Sequence, residues 1–181
     1  MQCVRERFEE SQSLRYSETT SGKAGPNLST SIPIDSSILH EWTCALLGAG
    51  GASEKSAQTT SRHLIESSRR GVHSHGLMRL PQYIDEMSKG LVEGHATPSL
   101  TLRAPTTAVI DGANCLGQVA CEVAIDFVVA VAPTEGVAVA LVRRMGHSGR
   151  LGQYVEDVAD QGLIGVACGT GALDGHRVAP F

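Results

Sequence analysis

The chain has no uninterrupted apolar run of bilayer-spanning length. Its most apolar stretch, Val123 to Val142, is interrupted by Asp126, Pro133, Glu135 and Gly136, so it falls short of the roughly 20 residues a spanning helix requires. No membrane segment is expected. Positive charge is not in excess either: 15 Lys and Arg against 19 Asp and Glu leave a net charge of -4, which gives no general attraction for phosphate backbones. Nucleic acid is therefore a poor candidate partner. Paired cysteines are missing too. Cys3, Cys44, Cys115, Cys121 and Cys168 are odd in number, scattered and without a C-x-x-C pair, as expected of free thiols in a reducing compartment. The first residues lack the apolar core of a secretory signal, and Glu6, Glu9, Glu10 and Glu18 weaken an organellar reading. Cytoplasm is the expected location.

What is present is an ordinary globular composition: 181 residues, 41% hydrophobic and 19% charged, with room for one sizeable core. Residues 1–33 are polar and rich in Ser, Thr and Gly, and read as a disordered extension. From Ile34 a helical pattern begins, with Asp35 or Ser36 as N-cap, closed by Gly48 to Gly51. Ser53 caps a second helix running to about Arg70, although Ser56 stands where a capping box would place an acid or amide. Ser74-His75-Gly76 then leads into an amphipathic helix through Leu77, Leu80, Tyr83, Ile84 and Met87, with Pro81 in its first turn and Lys89-Gly90 at its end.

Beyond Pro98 the chain reads as extended, and Asp111-Gly112 as a turn. A helix from Gly117 is expected to stop before Pro133. Val137 to Val142 and Leu163 to Ala167 have the branching and length of buried strands, and Gly152 to Gln161 reads as a helix between them. This order predicts an α/β fold: a mixed sheet with packed helices, preceded by an N-terminal helical segment over residues 34–95. The chain stops at Pro180-Phe181 with no closing element, and a truncated domain is expected.

Two imidazoles and a guanidinium stand in glycine-marked settings. Imidazole exchanges a proton near neutral pH, and guanidinium grips a carboxylate with a planar fork of donors; a 2-hydroxy or 2-keto acid needs both. His75 and Arg79 are four apart, the spacing of one helical face. His147, between Gly146 and Gly149, follows a strand, where α/β sheets tend to place ligand loops. On spacing alone, a solvated arginine, a cap histidine and a turn histidine outweigh the catalytic reading. His73 and His75 form an H-x-H pair without further ligands nearby, so no metal is expected. Gly169-Thr170-Gly171 is a near miss to the dinucleotide fingerprint G-x-G-x-x-G, because no convincing helix follows. Tyr83 reads as a core or edge aromatic rather than a proton donor.

Five ordered segments, Gly71 to Tyr83, Val109 to Gln118, Gly146 to Tyr154, Gly162 to Gly165 and Val178 to Phe181, together resemble the malate/L-lactate dehydrogenase family. This family is distinct from the Rossmann-fold malate and lactate dehydrogenases. The resemblance covers Ile34 to Phe181. It implies a non-Rossmann α/β fold, here truncated, with residues 96–181 as an incomplete NAD(P)-binding catalytic domain. It also implies a homodimer that transfers hydride between NAD or NADP and a small 2-hydroxy or 2-keto acid such as malate or lactate. Carried over by motif, His147 takes the part of the acid/base, with His75 also in the catalytic set. Arg79 is the carboxylate clamp and Ser74 lines the same pocket. Thr170 and Gly171 occupy the cofactor loop, which here is longer and has no Asn. His73 replaces an Asp common in the family and inherits no role. Members are much longer, so the chain alone is expected to be inactive; the alternative is an inactive remnant serving as an interaction or dimerisation module.

Overall fold

Asp35 opens the first helix, α1 (Ser36–Ala49), its side chain accepting the Ser37 N–H at 2.7 Å. The computed structural model describes residues 34–170. The stretch read as a disordered extension and Gly171 lie outside the described residues. Gly48 to Gly51 end α1 as expected, and Gly51 has a φ of 104°. Only Thr43 and Leu47 of α1 are buried, while Ile38, Trp42 and Leu46 form an exposed row at helical spacing.

Ser53 caps α2 (Glu54–Arg69) by accepting the Ser56 N–H at 3.2 Å, and its hydroxyl donates to Ser56 Oγ at 2.9 Å. Serine thus serves where a capping box would use a longer acid. The buried face of α2 is unusual in being largely small and polar: Ser56, Thr59, Thr60, Ser61, His63 and Ser67 join Ala57, Leu64 and Ile65. Burial of such groups demands partners, and several have them. Thr59 donates to Glu122 at 3.1 Å, and Ser61 meets His40 Nδ1 at 2.9 Å.

Two short 3-10 turns, His73–His75 and Leu77–Arg79, lead into α3 (Leu80–Ser88). Pro81 sits at its start, where a missing N–H costs least. Lys89 pairs with Asp85 at 2.7 Å, and Gly90 closes the helix at a φ of 65°.

The sheet is mixed, in the order β1-β2-β3. β1 (Ser99–Ala104) and β2 (Thr107–Cys115) form an antiparallel hairpin, and β3 (Val139–Met145) returns parallel to β2 through the crossover helix α4 (Gly117–Glu135). α5 (Leu151–Asp160) follows. Ala108 and Ile110 of β2, fully buried, pack in one core with Leu116, Val119, Ala120, Ala124 and Phe127, and with Leu47, Leu64 and Tyr83. Among the described residues α4 alone is long and apolar enough to cross a membrane; here its buried face belongs to this core.

Four expectations are corrected. Asp111-Gly112 is not a turn but part of β2, whose ladder to β3 is irregular between Asp111 and Cys115. The bend comes from Ala113 and Asn114 at φ 49° and 61°, and the Asp111 carboxylate secures it by accepting the Ala113 N–H at 3.0 Å. The helix expected to stop before Pro133 runs through it to Glu135. Proline forfeits one hydrogen bond near the helix end, and the Thr134 hydroxyl donates to the Val131 carbonyl at 3.1 Å. Val137 to Val142 does contain a strand, but it starts at Val139, and Leu141 is 56% exposed. It lies at an edge with only its α4-facing side half-buried. Leu163 to Ala167 forms no strand: it has no ladder partner among the described residues, and Ile164 is 97% exposed.

Ile110 is the central β2 side chain under α4. Ile110→Ala should lower the unfolding free energy by about 2–5 kcal/mol, read from urea unfolding at neutral pH; a loss below about 1 kcal/mol would show that the sheet core is not closed by this residue.

Candidate functional site

The Ser74-His75-Gly76 segment is seated directly on α2. Any Cβ at Gly76 would run into the Ser68 side chain and press on the Leu64 carbonyl, so glycine is required by close approach. Ser68 Oγ accepts the Leu77 N–H at 3.0 Å, pinning the second 3-10 turn to the same helix. His75 and Arg79 therefore do not share one helix, contrary to the reading from their spacing, but occupy successive tight turns. Those turns still bring their side chains to one place. Arg79 Nε donates to the Ser74 carbonyl at 2.6 Å, its Nη1 donates to Gln82 at 2.6 Å, and Ser74 Oγ lies 2.9 Å from His75 Nδ1.

The second segment leaves β3. Gly146 N–H donates to the Cys115 carbonyl at 2.9 Å, turning the chain across the end of β2. Gly149 has a φ of 79°, and a side chain there would enter the His63 imidazole. His63, on α2, accepts the Arg150 N–H at 2.8 Å on Nε2. Arg150 grips Glu156 of α5 with both terminal nitrogens, at 3.0 and 2.8 Å, and Tyr154 donates to the Ser148 carbonyl. Every residue from Gly146 to Arg150 is thus held by backbone bonds or tight packing, His147 through its carbonyl, against which Gly117 packs. His147 hangs from this turn with Nδ1 2.9 Å from the Tyr83 hydroxyl, while Gln118 Nε2 donates to that hydroxyl at 2.8 Å. The His147 ring centroid lies 5.4 Å from that of His75 and 6.0 Å from that of Tyr83.

Charge in this cluster is suppressed. Burial, then Arg79, then His75 bring His147 down to about 4. Burial, then Arg150, then His147 and His75 bring His63 to about 4 as well. His75 is lowered by burial and by Arg79, and burial pushes the Tyr83 hydroxyl up to about 12. At neutral pH the site holds neutral imidazoles around one guanidinium. That combination attracts an anion and can exchange a proton with it.

Of the residues singled out by sequence, Ser74, His75, Arg79 and His147 come together. Thr170 does not join them: it is exposed, beyond α5, and Gly171 lies outside the described residues. Among the described residues no group of His, Cys, Asp and Glu could hold a metal. Sequence reasoning missed Tyr83 as a partner of His147, and it missed His63 and Gln118 altogether. Tyr83, four beyond Arg79, was visible as an apolar helical position; nothing local indicated that its hydroxyl would meet a residue 64 positions away.

A family model described as malate/L-lactate dehydrogenase matches residues 34–181. Ureidoglycolate dehydrogenase (NAD(+)) of Escherichia coli is 33% identical over 134 residues, 74% of this chain and 38% of that protein. L-sulfolactate dehydrogenase of Methanocaldococcus jannaschii is 34% identical over 116 residues, 64% of this chain and 34% of that protein. Among solved structures, malate dehydrogenase from Pyrococcus horikoshii superposes with a TM-score of 0.68 at 29% identity, over 72% of this chain and 38% of that one. The chain thus spans less than half the length of these relatives.

Because unfolded histidine protonates near ~6.5, imidazoles held at about 4 favour the folded state fully above that pH. The contribution is lost as pH falls from ~6.5 towards 4. Urea unfolding should therefore become progressively easier from pH 7 to 4.5, with about two protons taken up per chain on unfolding near pH 5. A flat stability profile between pH 7 and 5 would show that His63 and His147 are not held neutral.

Proposed function

Because the chain belongs to the malate/L-lactate dehydrogenase family, we propose that its histidine cluster handles a small 2-hydroxy acid or the matching 2-keto acid, with His147 exchanging the proton of the substrate oxygen. The observation that carries this reading is the joint placement of a neutral, half-buried imidazole and a braced guanidinium. His147 is hydrogen-bonded on one ring nitrogen only by protein groups, which leaves Nε2 for a ligand. Arg79 has Nε and one Nη1 hydrogen engaged; its Nη2 makes no hydrogen bond to a described residue. The terminal edge of the fork is thus available for a carboxylate. Ser74 and His75 form the adjoining wall, with His75 as a second imidazole within reach of the same ligand.

The dehydrogenase relatives imply a nicotinamide cofactor, NAD or NADP, which when bound would give or take the hydride. The described residues do not by themselves fit such a dinucleotide. Thr170 is exposed, the glycine-rich turn between β3 and α5 carries His147 and packs against His63, and Arg143 and Arg144 are paired with Asp111. What this half of the fold offers is substrate handling: an anchor for the carboxylate, a proton carrier, and side chains that keep both in place. The exposed row Ile38, Trp42 and Leu46 on α1 supports the reading of a homodimer.

In a longer protein that carries this segment and turns over 2-keto acids with NADH or NADPH, His147→Ala should lower kcat by ~10²–10⁴-fold. Arg79→Lys should raise KM about tenfold or more with a smaller change in kcat, because a point charge replaces the fork. Near-normal kcat in the first variant, or unchanged KM in the second, would remove that residue from the site. A carboxylate bound at Arg79 also offsets the repulsion that helps depress His147. Oxamate, an isostere of a 2-keto acid, should therefore raise the pH at which His147 titrates, followed by nitrogen-15 NMR; no upward shift at saturating oxamate would place the carboxylate elsewhere.

A further inference from the structure

We propose that Tyr83 and Gln118, working against the backbone of Gly149, lock His147 as the Nε2–H tautomer, so that it meets its ligand as a neutral hydrogen-bond donor. The inference rests on the reading of this cluster as the substrate site and adds a direction to it. Three groups surround His147 Nδ1, and their chemistry leaves one arrangement. The Gly149 backbone N–H points at Nδ1 from 3.2 Å. An amide nitrogen can only donate, so Nδ1 carries no proton. The Tyr83 hydroxyl, 2.9 Å from the same nitrogen, must then donate as well. Its oxygen is left as an acceptor, and Gln118 Nε2 supplies the matching donor at 2.8 Å. The chain of bonds runs in one sense, from Gln118 through Tyr83 to Nδ1.

The reverse sense would turn the Gln118 amide so that its oxygen accepts from Tyr83, and Tyr83 would accept from an Nδ1–H. Tyr83 and Gln118 alone cannot distinguish the two. Gly149 does, because an Nδ1–H would then face an N–H. Nor can Gly149 readily withdraw. Its left-handed φ of 79° sets the direction of the turn, its α-carbon packs against the His63 ring, and the next N–H is bound to His63 Nε2 at 2.8 Å. A buried histidine on α2 thereby decides where the proton of a second histidine sits.

The groups that bear on His147 from the surrounding elements act in the same sense. Arg79 and His75 on the two 3-10 turns, and His63 on α2 with Arg150 beside it, add positive or potentially positive charge, and Tyr83 of α3 is neutral at physiological pH. The one of them within hydrogen-bond reach of Nδ1, the Tyr83 hydroxyl, could accept a second ring proton only by reversing its sense, against the Gly149 N–H. An imidazolium would have to point Nδ1–H at the Gly149 amide, a cost beyond burial, in accord with the depressed protonation of His147.

An Nε2–H complements an oxygen that brings lone pairs and no proton, which is the carbonyl of a 2-keto acid. To take the proton of a 2-hydroxy acid, the ring must first reverse its tautomer and break the Tyr83 and Gly149 contacts. Tyr83 is therefore a positioning residue that presets the neutral ring to hold the carbonyl of the 2-keto acid; passing a proton to that oxygen further requires a second ring proton taken from solvent, since a neutral imidazole that gave up its Nε2–H would be left as an imidazolate.

Nitrogen-15 NMR of the histidine-labelled 181-residue chain at pH 7, with His147 assigned by loss of its signals in His147→Ala, reads the proton position directly. The expected result is a protonated Nε2 and an unprotonated Nδ1; a predominant Nδ1–H form overturns the proposal. In Tyr83→Phe the Nδ1–H population should rise about fivefold, the factor one ordinary hydrogen bond confers, while the remaining histidine signals stay in place. An unchanged population would take Tyr83 out of the role. Should Tyr83→Phe fail to fold, the wild-type measurement decides by itself. The tautomer is read without substrate or turnover, so its outcome is independent of the kinetic effect of His147→Ala, and failure of one is distinguishable from failure of the other.

Discussion

Both turns of the candidate site are seated on the same helix, and the remainder of the site depends on that seating. Ser68 Oγ of α2 holds the Leu77 N–H and thereby the turns carrying His75 and Arg79. Five residues earlier, His63 Nε2 holds the Arg150 N–H and thereby the turn carrying His147. The helix is a fixed spacer between the two loops, which meet again at the Tyr83 hydroxyl. Its small polar face makes this possible: with Leu in place of Ser68, or a residue larger than Gly at 76 or 149, the backbone of each loop would be pushed outward and its hydrogen bond to α2 lost.

The polar character of that face also explains what the sequence conveyed and what it concealed. Helix ends were readable because Asp35, Ser53, Gly51 and Gly90 act locally, through capping bonds and left-handed φ angles. Some parallel pairing was expected from the order helix, strand, helix, strand ending at Leu163 to Ala167; the parallel pair that forms is instead β2 with β3, joined through α4. The burial of Ser56, Thr59, Ser61 and His63 was not readable, because hydropathy assigns such residues to solvent and only a neighbour's hydrogen bond reverses that assignment. Asp111-Gly112 misled for a related reason. A turn signature describes local backbone freedom, and here that freedom makes a bend within a strand whose pairing is set by β1 and β3. The apolar run after Gly162 misled because a strand is a property of two segments, and the described residues contain no partner for it.

For the candidate site, the motifs picked out residues that the fold brings together but not their arrangement. Ser74, His75, Arg79 and His147 were legible from five ordered segments, whereas the helix proposed to bear His75 and Arg79 together is two tight turns. Tyr83 looked like a core residue, and it is one, with its ring 1% exposed. Its hydroxyl is nevertheless the polar end of a buried aromatic that must find a partner, and the partner is His147. Burial and function are here the same fact seen from two ends of one side chain.

The hydrogen bonds that complete the cluster join residues 64 and 87 positions apart in the chain. Contacts of that sequence separation form only after the intervening loop has been closed, which makes them slow to reach. The turn on α2 that presents Arg79 is local and can form early, but His147 arrives only when the crossover through α4 has delivered β3 to its place beside β2. Assembly of the cluster is thus a late event of the fold, reached in the step that pairs β3 with β2.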